Sequence, residues 1–321
     1  MISRALAALV ITAALLVPKA QAEFPTRLVR LVVTTAPGTS GDIVARLISP
    51  ALSKHFQQTV VVENRPGANG NLAATEVSRS EPDGHTILVI PSGTLVANLY
   101  LYPKSSAAAL ERLTPLTRLV TNDFVLAVRP QLGLKSLKDL SAHVRDNPGK
   151  FTVASSSRGS YPNLAAEMLK QNAKLDMLIV THNGENAAVT AAAGGHIDAA
   201  IAASAALDSF TKGGTLVAIA STGTERNPSS PEVPTLSESG VPDSSIHGFI
   251  AVAVPSATPP DIQESLRSAF TLAINQPQTH GRLRDIHFIP VSDTQDEMKA
   301  VILKERGRLE QVIRQMGGAL E

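Results

Sequence analysis

The stretch Leu31–Glu63, LVVTTAPGTSGDIVARLISPALSKHFQQTVVVE, decides the fold. It begins with a short apolar run at Leu31–Val33, typical of a buried strand, and ends with a β-branched run at Thr59–Val62 that predicts a second strand. Between them, after a loop rich in Pro and Gly, apolar residues recur at spacings of three and four, the pattern of one helix face. Asp42 stands directly before this pattern and is the predicted N-cap. The stretch therefore predicts a βαβ unit of an α/β protein.

The loop between the first strand and the helix is a candidate ligand site. In a parallel βαβ unit this loop lies at the carboxyl end of the strand, where helix N–H groups and the positive end of the helix dipole favour an anion. The alternative is a loop that merely joins a strand to a helix. The candidate binding residues of this loop are Gly38, Thr39, Ser40, Gly41 and Asp42.

Residues Met1–Ala22 have the pattern of a signal peptide. Arg4 precedes an apolar run at Leu6–Val17, and Ala20 and Ala22 are the small residues expected before a cleavage site. The apolar run is too short to cross a bilayer comfortably. We therefore expect cleavage near Ala22 and an exported mature protein.

Composition excludes several classes of function. The chain has no Cys, which excludes disulfides and thiolate metal sites. Its formal net charge is +1 without a basic cluster, so we expect no nucleic-acid partner. The His residues are scattered, and we expect neither a metal nor a cofactor.

Further polar loops follow other predicted strands. Gly and hydroxyl residues end the strands predicted at Thr86–Ile90 and Phe151–Ala154, and a His follows the strand at Met177–Val180. Because the carboxyl ends of parallel strands share one edge of a sheet, the loop after Thr86–Ile90 is expected at the same edge as the first one. The additional candidate binding residues are Ser92, Gly93, Thr94, Ser156, Ser157, Arg158, Gly159, Ser160 and His182.

Two of these candidates carry ionisable side chains. The guanidinium of Arg158 has a fork of donors that suits a carboxylate, and an exposed loop Arg is the alternative. His182 is either a loop residue or a ligand contact.

Short motifs that run in order along nearly the whole chain after residue 22 carry a family resemblance. They are Arg30–Val33, Pro37–Asp42, Val60–Ala68, Pro82–Thr86, Leu137–Leu140, Pro148–Lys150, Ala218–Ala220 and Pro231–Leu236. On these motifs the chain is similar to the extracytoplasmic solute receptors of tripartite tricarboxylate transporters, a family that includes the Bordetella uptake gene receptors. The segments ENRPGA at 63–68 and PDGHT at 82–86 are together specific.

The resemblance implies a type II periplasmic binding protein, with two α/β lobes and a carboxylate held in the cleft between them. We expect residues 23–120 and 249–321 to form one lobe and residues 121–248 the other. The chain then crosses between the lobes near Leu119–Phe124 and near Phe249–Val254, and these crossings form a hinge. A strand is predicted at Phe124–Val128, directly after the first crossing.

This sequence departs from the family pattern at four positions. Thr35 stands where the first loop usually has an aromatic residue, and Thr39 stands at its second Gly. His182 replaces the Tyr of a P-Y-K-G loop, and Ala202 replaces an Asp that in the family often follows the strand beginning at Ile197. The identity of the acid therefore cannot be carried over from a relative.

The function implied by the resemblance is a periplasmic receptor that captures a small organic acid for the permease subunits of a tripartite tricarboxylate-type transporter. We expect a monomer. One alternative is a sensor of the same fold that feeds a signalling partner. A periplasmic hydrolase using one of the Ser-rich loops is another, although the G-x-S-x-G and H-E-x-x-H motifs are absent from the sequence.

Overall fold

The computed structural model of the chain describes residues 24–315 and 317–319, and the predicted signal peptide lies outside them. The predicted βαβ unit is confirmed. It consists of strand β1 (Val29–Val33), helix α1 (Ser40–Phe56) and strand β2 (Val60–Asn64). β1 and β2 are parallel, with Val29 opposite Val60 and Val33 opposite Asn64.

The predicted N-cap of α1 is wrong. The helix begins at Ser40, and its N-cap is Thr39, which has extended backbone angles of φ −94° and ψ 170°. Asp42 lies in the first turn instead, where its Oδ2 accepts a hydrogen bond from the N–H of Gly38 at 2.8 Å. The small residues Ser40 and Gly41 extend the helix by two residues towards the N-terminus. The Asp42 carboxylate holds the preceding loop against this first turn.

The strands form one curled mixed sheet. Its order is β2-β1-β3-β9-β4-β7-β5-β6, and β8 and β10 both pair with β4. The remaining strands are β3 (Thr86–Pro91), β4 (Leu113–Val128), β5 (Thr152–Ser155), β6 (Leu178–Thr181), β7 (Ala199–Ala203), β8 (Val217–Ser221), β9 (His247–Pro255) and β10 (Ile289–Pro290). The α/β class is therefore confirmed.

Strand β4 belongs to two regions of this sheet. From Leu113 to Asp123 it pairs with β9, and from Phe124 to Val128 it pairs with β7 on one side and β8 on the other. The backbone therefore passes without a break from one group of strands to the other. The lobe boundaries given above stay a prediction.

Helices cover the strands, and most follow a strand directly. They are α2 (Asn71–Ser78), α3 (Asn98–Leu101), α4 (Pro103–Leu110), α5 (Leu137–Asp146), α6 (Tyr161–Asn172), α7 (Glu185–Ala193), α8 (Ser204–Lys212), α9 (Pro260–Asn275), α10 (Pro277–Asp285) and α11 (Gln295–Gln315). Within the described ranges, no helix combines the length and the apolar character that crossing a membrane requires.

Apolar side chains on both faces of the first strands fix this arrangement. On one face, Val44, Ile48 and Leu52 of α1 are fully buried in a cluster with Leu31 and with Phe270 of α9. Burying one such side chain stabilises the fold by about 1.5 to 3 kcal/mol. The helix repeat seen in the sequence is therefore the contact surface of α1.

A buried ion pair ties the last segment of the chain to β4. Asp293 is 5% exposed, and its Oδ2 accepts hydrogen bonds from Arg118 Nε at 2.7 Å and from Arg118 N at 3.1 Å. Its Oδ1 accepts from Arg118 Nη2 at 2.8 Å, and its own N–H donates to Thr117 Oγ1 at 2.8 Å. These bonds fix the turn that leads into α11.

Candidate functional site

A cavity of about 230 Å³ lies where the segments after β1, β2, β3, β5 and β6 meet Asn122 and Phe124 of β4 and the start of β9. The polar residues that line it include Thr34, Thr35, Thr39, Ser40, Asn69, Ser92, Thr94, Asn122, Ser156, Ser157, Ser160, Asn183 and Glu185. The Tyr161, Phe124 and Phe249 side chains supply aromatic walls. The segments after β1 and β3, which were predicted to share one edge of the sheet, are therefore neighbours.

The structure brings nine of the fourteen predicted site residues to this cavity. They are Thr39, Ser40, Gly41, Ser92, Gly93, Thr94, Ser156, Ser157 and Ser160. Gly38, Asp42, Arg158, Gly159 and His182 are not part of its lining. A role in binding stays a prediction for every member of the set.

The first loop has fewer available donors than the sequence suggested. The N–H of Gly38 donates to Asp42, and the N–H of Thr39 donates to the carbonyl oxygen of Ala36 at 3.3 Å. Ser40 and Gly41 are different, because their N–H groups have no acceptor among the described residues. An anion at this loop would therefore meet the first turn of α1, with Ser40 and Gly41, rather than Gly38.

The loop predicted at the end of β3 is wrong from Ser92 onwards, because the chain turns directly into a π-helical segment, Gly93–Ala97. π-helical turns occur often at functional sites. Ser92 Oγ accepts a hydrogen bond from the N–H of Phe249 at 3.3 Å, and Thr94 Oγ1 donates to the carbonyl oxygen of Asn69 at 2.9 Å. These hydroxyls hold the cavity wall in place. The hydroxyl hydrogen of Thr94 already donates to Asn69, so it is not available to a ligand.

The loop after β5 is held by hydrogen bonds to the start of α6. Ser160 is the N-cap and accepts from the N–H of Asn163 at 3.3 Å, while Asn163 Oδ1 accepts from the N–H of Gly159 at 2.9 Å. The hydroxyls of Ser156 and Ser160 are 2.7 Å apart and hydrogen-bonded. These bonds hold the loop against the start of α6.

Arg158 is exposed and lies outside the cavity lining. Its charge acts on Glu167 of α6: burial raises the pKa of Glu167, while Lys170 and Arg158 lower it. Its neighbours Ser157 and Ser160 line the cavity, but the side chain of Arg158 does not. The geometry gives no support to a bond between Arg158 and a ligand.

His182 also lies outside the cavity lining. Its backbone N–H donates to the carbonyl oxygen of Ser155 at 2.9 Å, and its Nδ1 is 3.1 Å from the carbonyl oxygen of Val180. The residue therefore fixes the loop after β6, and the geometry again gives no support to ligand contact.

Two contacts join segments next to the cavity. Asn186 Nδ2, in the first turn of α7, donates to the carbonyl oxygen of Gly38 at 3.3 Å. Gly159 has φ +80°, and a Cβ at this position would overlap the side chain of Leu101 in α3. The loop after β1 therefore contacts α7, and the loop after β5 packs closely against α3.

Glu185 is a lining residue that the sequence patterns did not single out, although it closes the polar loop after β6. It is the first residue of α7 and lines the cavity, and its Oε2 accepts a hydrogen bond from the N–H of Ala203 at 3.3 Å. Burial raises the pKa of Glu185 to about 7, against a lowering by the Ala203 hydrogen bond. The only sequence signal was a Glu directly after an N-G dipeptide at a strand end.

Tyr161 is the other ionisable residue of the lining. Its hydroxyl donates to Glu305 Oε2 at 3.2 Å, and burial, reinforced by the Glu305 carboxylate, raises its pKa well above the usual value. The hydroxyl is thus hydrogen-bonded to α11, and the aromatic ring of Tyr161 is the part that can contact a ligand in the cavity.

The Asp42 carboxylate gives a direct test of the first loop. Burial favours a higher pKa for Asp42, but hydrogen bonds from Arg46 and Gly38 outweigh it and hold the pKa below its usual value. Asp42→Ala is expected to weaken ligand affinity roughly tenfold, because a charge-assisted hydrogen bond that orders the loop is lost. Calorimetric titration measures the effect.

Asp139 supplies the matched control. In the first turn of α5, its Oδ2 accepts from the N–H of Lys135 at 3.1 Å, the same spacing along the chain as Asp42 and Gly38. Asp139→Ala should leave ligand affinity unchanged. Equal affinities for the two variants would show that Asp42 does not order the site.

The donor set does not suit a metal. Among residues 24–315 and 317–319, no group of three or more His, Asp or Glu side chains could hold a metal ion.

Comparison with known proteins places the chain in one receptor family. The family model described as the tripartite tricarboxylate transporter family receptor matches residues 44–318. BugT of Bordetella pertussis is 29% identical over 311 residues, which are 97% of this chain and 95% of BugT.

Solved structures share the fold. An R. palustris protein solved with adipate has a TM-score of 0.88 and 28% identity, covering 92% of this chain and 99% of that chain. MatC from Rhodopseudomonas palustris, solved with bound malate, has a TM-score of 0.83 and 30% identity, covering 90% of this chain and 100% of its own. Because the structures with this fold include periplasmic binding proteins, the predicted two-lobed α/β fold is confirmed.

Proposed function

The chain belongs to the tripartite tricarboxylate transporter receptor family, and from this membership we propose that it is a periplasmic receptor that binds a small organic acid in the cleft between its lobes. The observation that carries the proposal is the cavity at the first turn of α1. There the N–H groups of Ser40 and Gly41, at the start of a 17-residue helix, have no acceptor among the described residues. A helix terminus with available donors favours an anion without any Lys or Arg.

The size of the cavity and the known ligands of similar proteins support an organic acid. A cavity of about 230 Å³ has room for a small molecule and none for a polymer. The R. palustris protein with adipate and MatC with malate hold carboxylates on the same fold. Thr39 and the Ser-rich loop after β5 add hydroxyls to the same wall.

Membership of the family supports the partner and the location that we propose. The receptor delivers its ligand to the permease subunits of a tripartite tricarboxylate-type transporter, and it reaches the periplasm by means of the N-terminal signal peptide. It acts as a monomer.

We propose binding without chemistry. The cavity hydroxyls of Ser156 and Ser160 pair with each other, and no His of the described residues lines the cavity to act as a base. The Glu185 carboxyl accepts from the N–H of Ala203, and among the described residues no Ser hydroxyl is hydrogen-bonded to it. A nucleophile without a base in reach is weak at neutral pH.

A thermal-shift screen of refolded protein tests the proposal. A ligand that binds only the folded state adds about 2.7 kcal/mol at a hundred times its Kd, which raises the melting temperature by several degrees in a protein of this size. The panel contains mono- and dicarboxylates, hydroxy acids and amino acids, with sodium chloride at equal ionic strength and a neutral diol as controls. A carboxylate should raise the melting temperature while the controls do not. A panel without any such shift would overturn the proposal.

A further inference from the structure

Glu185 places one carboxylate on the wall of a cavity that has no cation. Among the described residues that line the cavity, none is Lys, Arg or His, and Glu185 is the single Asp or Glu. The residue is partly exposed and lines the cavity. A carboxylate withdrawn from water without a partner is costly, so its presence on this wall calls for an explanation.

The surrounding elements supply no partner. No other titratable side chain lies on α7, β5 or β7. On α8, Asp208 and Lys212 pair with each other at 2.9 Å, and Asp208 also pairs with His287. Across the cleft, Asp42 is paired with Arg46 at 2.9 Å.

Tyr161 and His182 also have hydrogen-bond partners other than Glu185. The Tyr161 hydroxyl donates to Glu305, and His182 Nδ1 lies against the carbonyl oxygen of Val180. The structure therefore shows one bond to the Glu185 carboxyl, from the N–H of Ala203.

Helix capping does not account for Glu185. Acidic residues are common in first turns, where the helix dipole stabilises them. Three other first-turn carboxylates bond back to the start of their own helices: Asp42 accepts from the N–H of Gly38, Asp139 from the N–H of Lys135, and Glu297 from the N–H of Thr294 at 2.8 Å. Glu185 instead reaches β7, and its helix begins after Gly184 without a side-chain cap.

We propose that the ligand carries a primary ammonium group as well as a carboxylate, and that the ammonium binds Glu185 while the carboxylate binds the N–H groups of Ser40 and Gly41. This inference rests on the proposed function and narrows the ligand to amino acids. An ammonium supplies the cation that the cavity wall lacks, and the ligand as a whole is neutral. A dicarboxylate brings a second anion to the same wall, where it is repelled by ionised Glu185.

The pH dependence of binding separates the two ligand classes. Because the pKa of Glu185 lies at about 7, its carboxyl is largely protonated at pH 6 and largely ionised at pH 8. An ammonium ligand needs the ionised form, so its affinity should rise with pH and level off above the pKa. A dicarboxylate needs the protonated form, so its affinity should fall over the same range.

Calorimetry with ligands of equal length tests the proposal. Each set contains an ω-amino acid, its α-amino isomer, the dicarboxylate and the monocarboxylate, with four, five or six carbons. In at least one set an amino acid should bind tenfold or more tightly than the dicarboxylate. Glu185→Gln keeps an acceptor for the N–H of Ala203 and removes the charge, so it should weaken amino acid binding roughly ten to a hundredfold and leave dicarboxylate binding equal or stronger.

Glu167→Gln is the matched control, because Glu167 is a second carboxyl whose pKa is raised by burial and it lies outside the cavity lining. It should change neither affinity nor pH profile. If a dicarboxylate binds the parent protein more tightly than every amino acid, the ammonium proposal is wrong while the proposed function stands. If no acid of any class binds, the proposed function fails and this inference fails with it. If Glu185→Gln does not fold, the pH dependence of amino acid and dicarboxylate affinity in the parent protein still tests the ammonium proposal.

Discussion

Replacing Gly159 by Ala should weaken ligand binding roughly ten to a hundredfold. The Cβ of Ala would overlap the buried side chain of Leu101, which is 1% exposed. Overpacking of this kind costs about 1 to 3 kcal/mol. The predicted lobe boundaries put Leu101 and Gly159 on opposite sides of the cleft, so we expect the cost to fall mainly on the closed arrangement of the lobes. Calorimetric titration measures the affinity, and solution scattering measures the change in radius of gyration on ligand addition.

Two further variants separate closure from backbone strain. Gly133 has φ +68°, and a Cβ added there would meet no atom within 4 Å, so Gly133→Ala carries the same type of strain without the overlap. It should bind ligand normally. Adding Leu101→Ala to Gly159→Ala should restore part of the lost affinity. Parent affinity in Gly159→Ala would show that this contact does not control closure.

Removing the carboxylate of Asp293 should lower the free energy of unfolding by about 3 to 5 kcal/mol, because Arg118 keeps its charge in a partly buried position without a partner. The lost bonds also release the turn that precedes α11. Urea denaturation of Asp293→Ala measures the effect. Asp296, whose side chain is 96% exposed, is the control, and Asp296→Ala should change stability little. A loss below about 1 kcal/mol in Asp293→Ala would mean that water solvates Arg118 in the folded protein.

The first βαβ unit could be predicted because its apolar residues repeat at the period of the element that they form. The long strand β4 could not. Only Phe124–Val128 has a continuous apolar sequence, whereas Pro115, Arg118 and Asp123 interrupt the earlier part. That part forms a strand because β9 pairs with it, and such pairing between distant segments leaves no local pattern.

The candidate site was predictable at the level of loops and less so at the level of side chains. The position of a loop follows from sheet topology, which is why Ser40, Ser92 and Ser156 all reach one cavity. The direction of a side chain depends on a few backbone angles. Arg158 therefore lies outside the cavity lining, and Glu185, a common residue for the start of a helix, lines the cavity.

The position of β9 has a consequence for how the protein is made. β9 lies between β3 and β4, although it follows both by more than a hundred residues along the chain. While the middle of the chain is being synthesised, the edges of β3 and β4 have no β9 between them to pair with. Helix α9 has also not yet been made, so it does not cover the apolar face of the first strands. This part of the sheet therefore closes only after β9 has been synthesised. In a chain with this topology the edges of β3 and β4 stay unpaired until late in synthesis, and residues 247–275 complete this part of the fold.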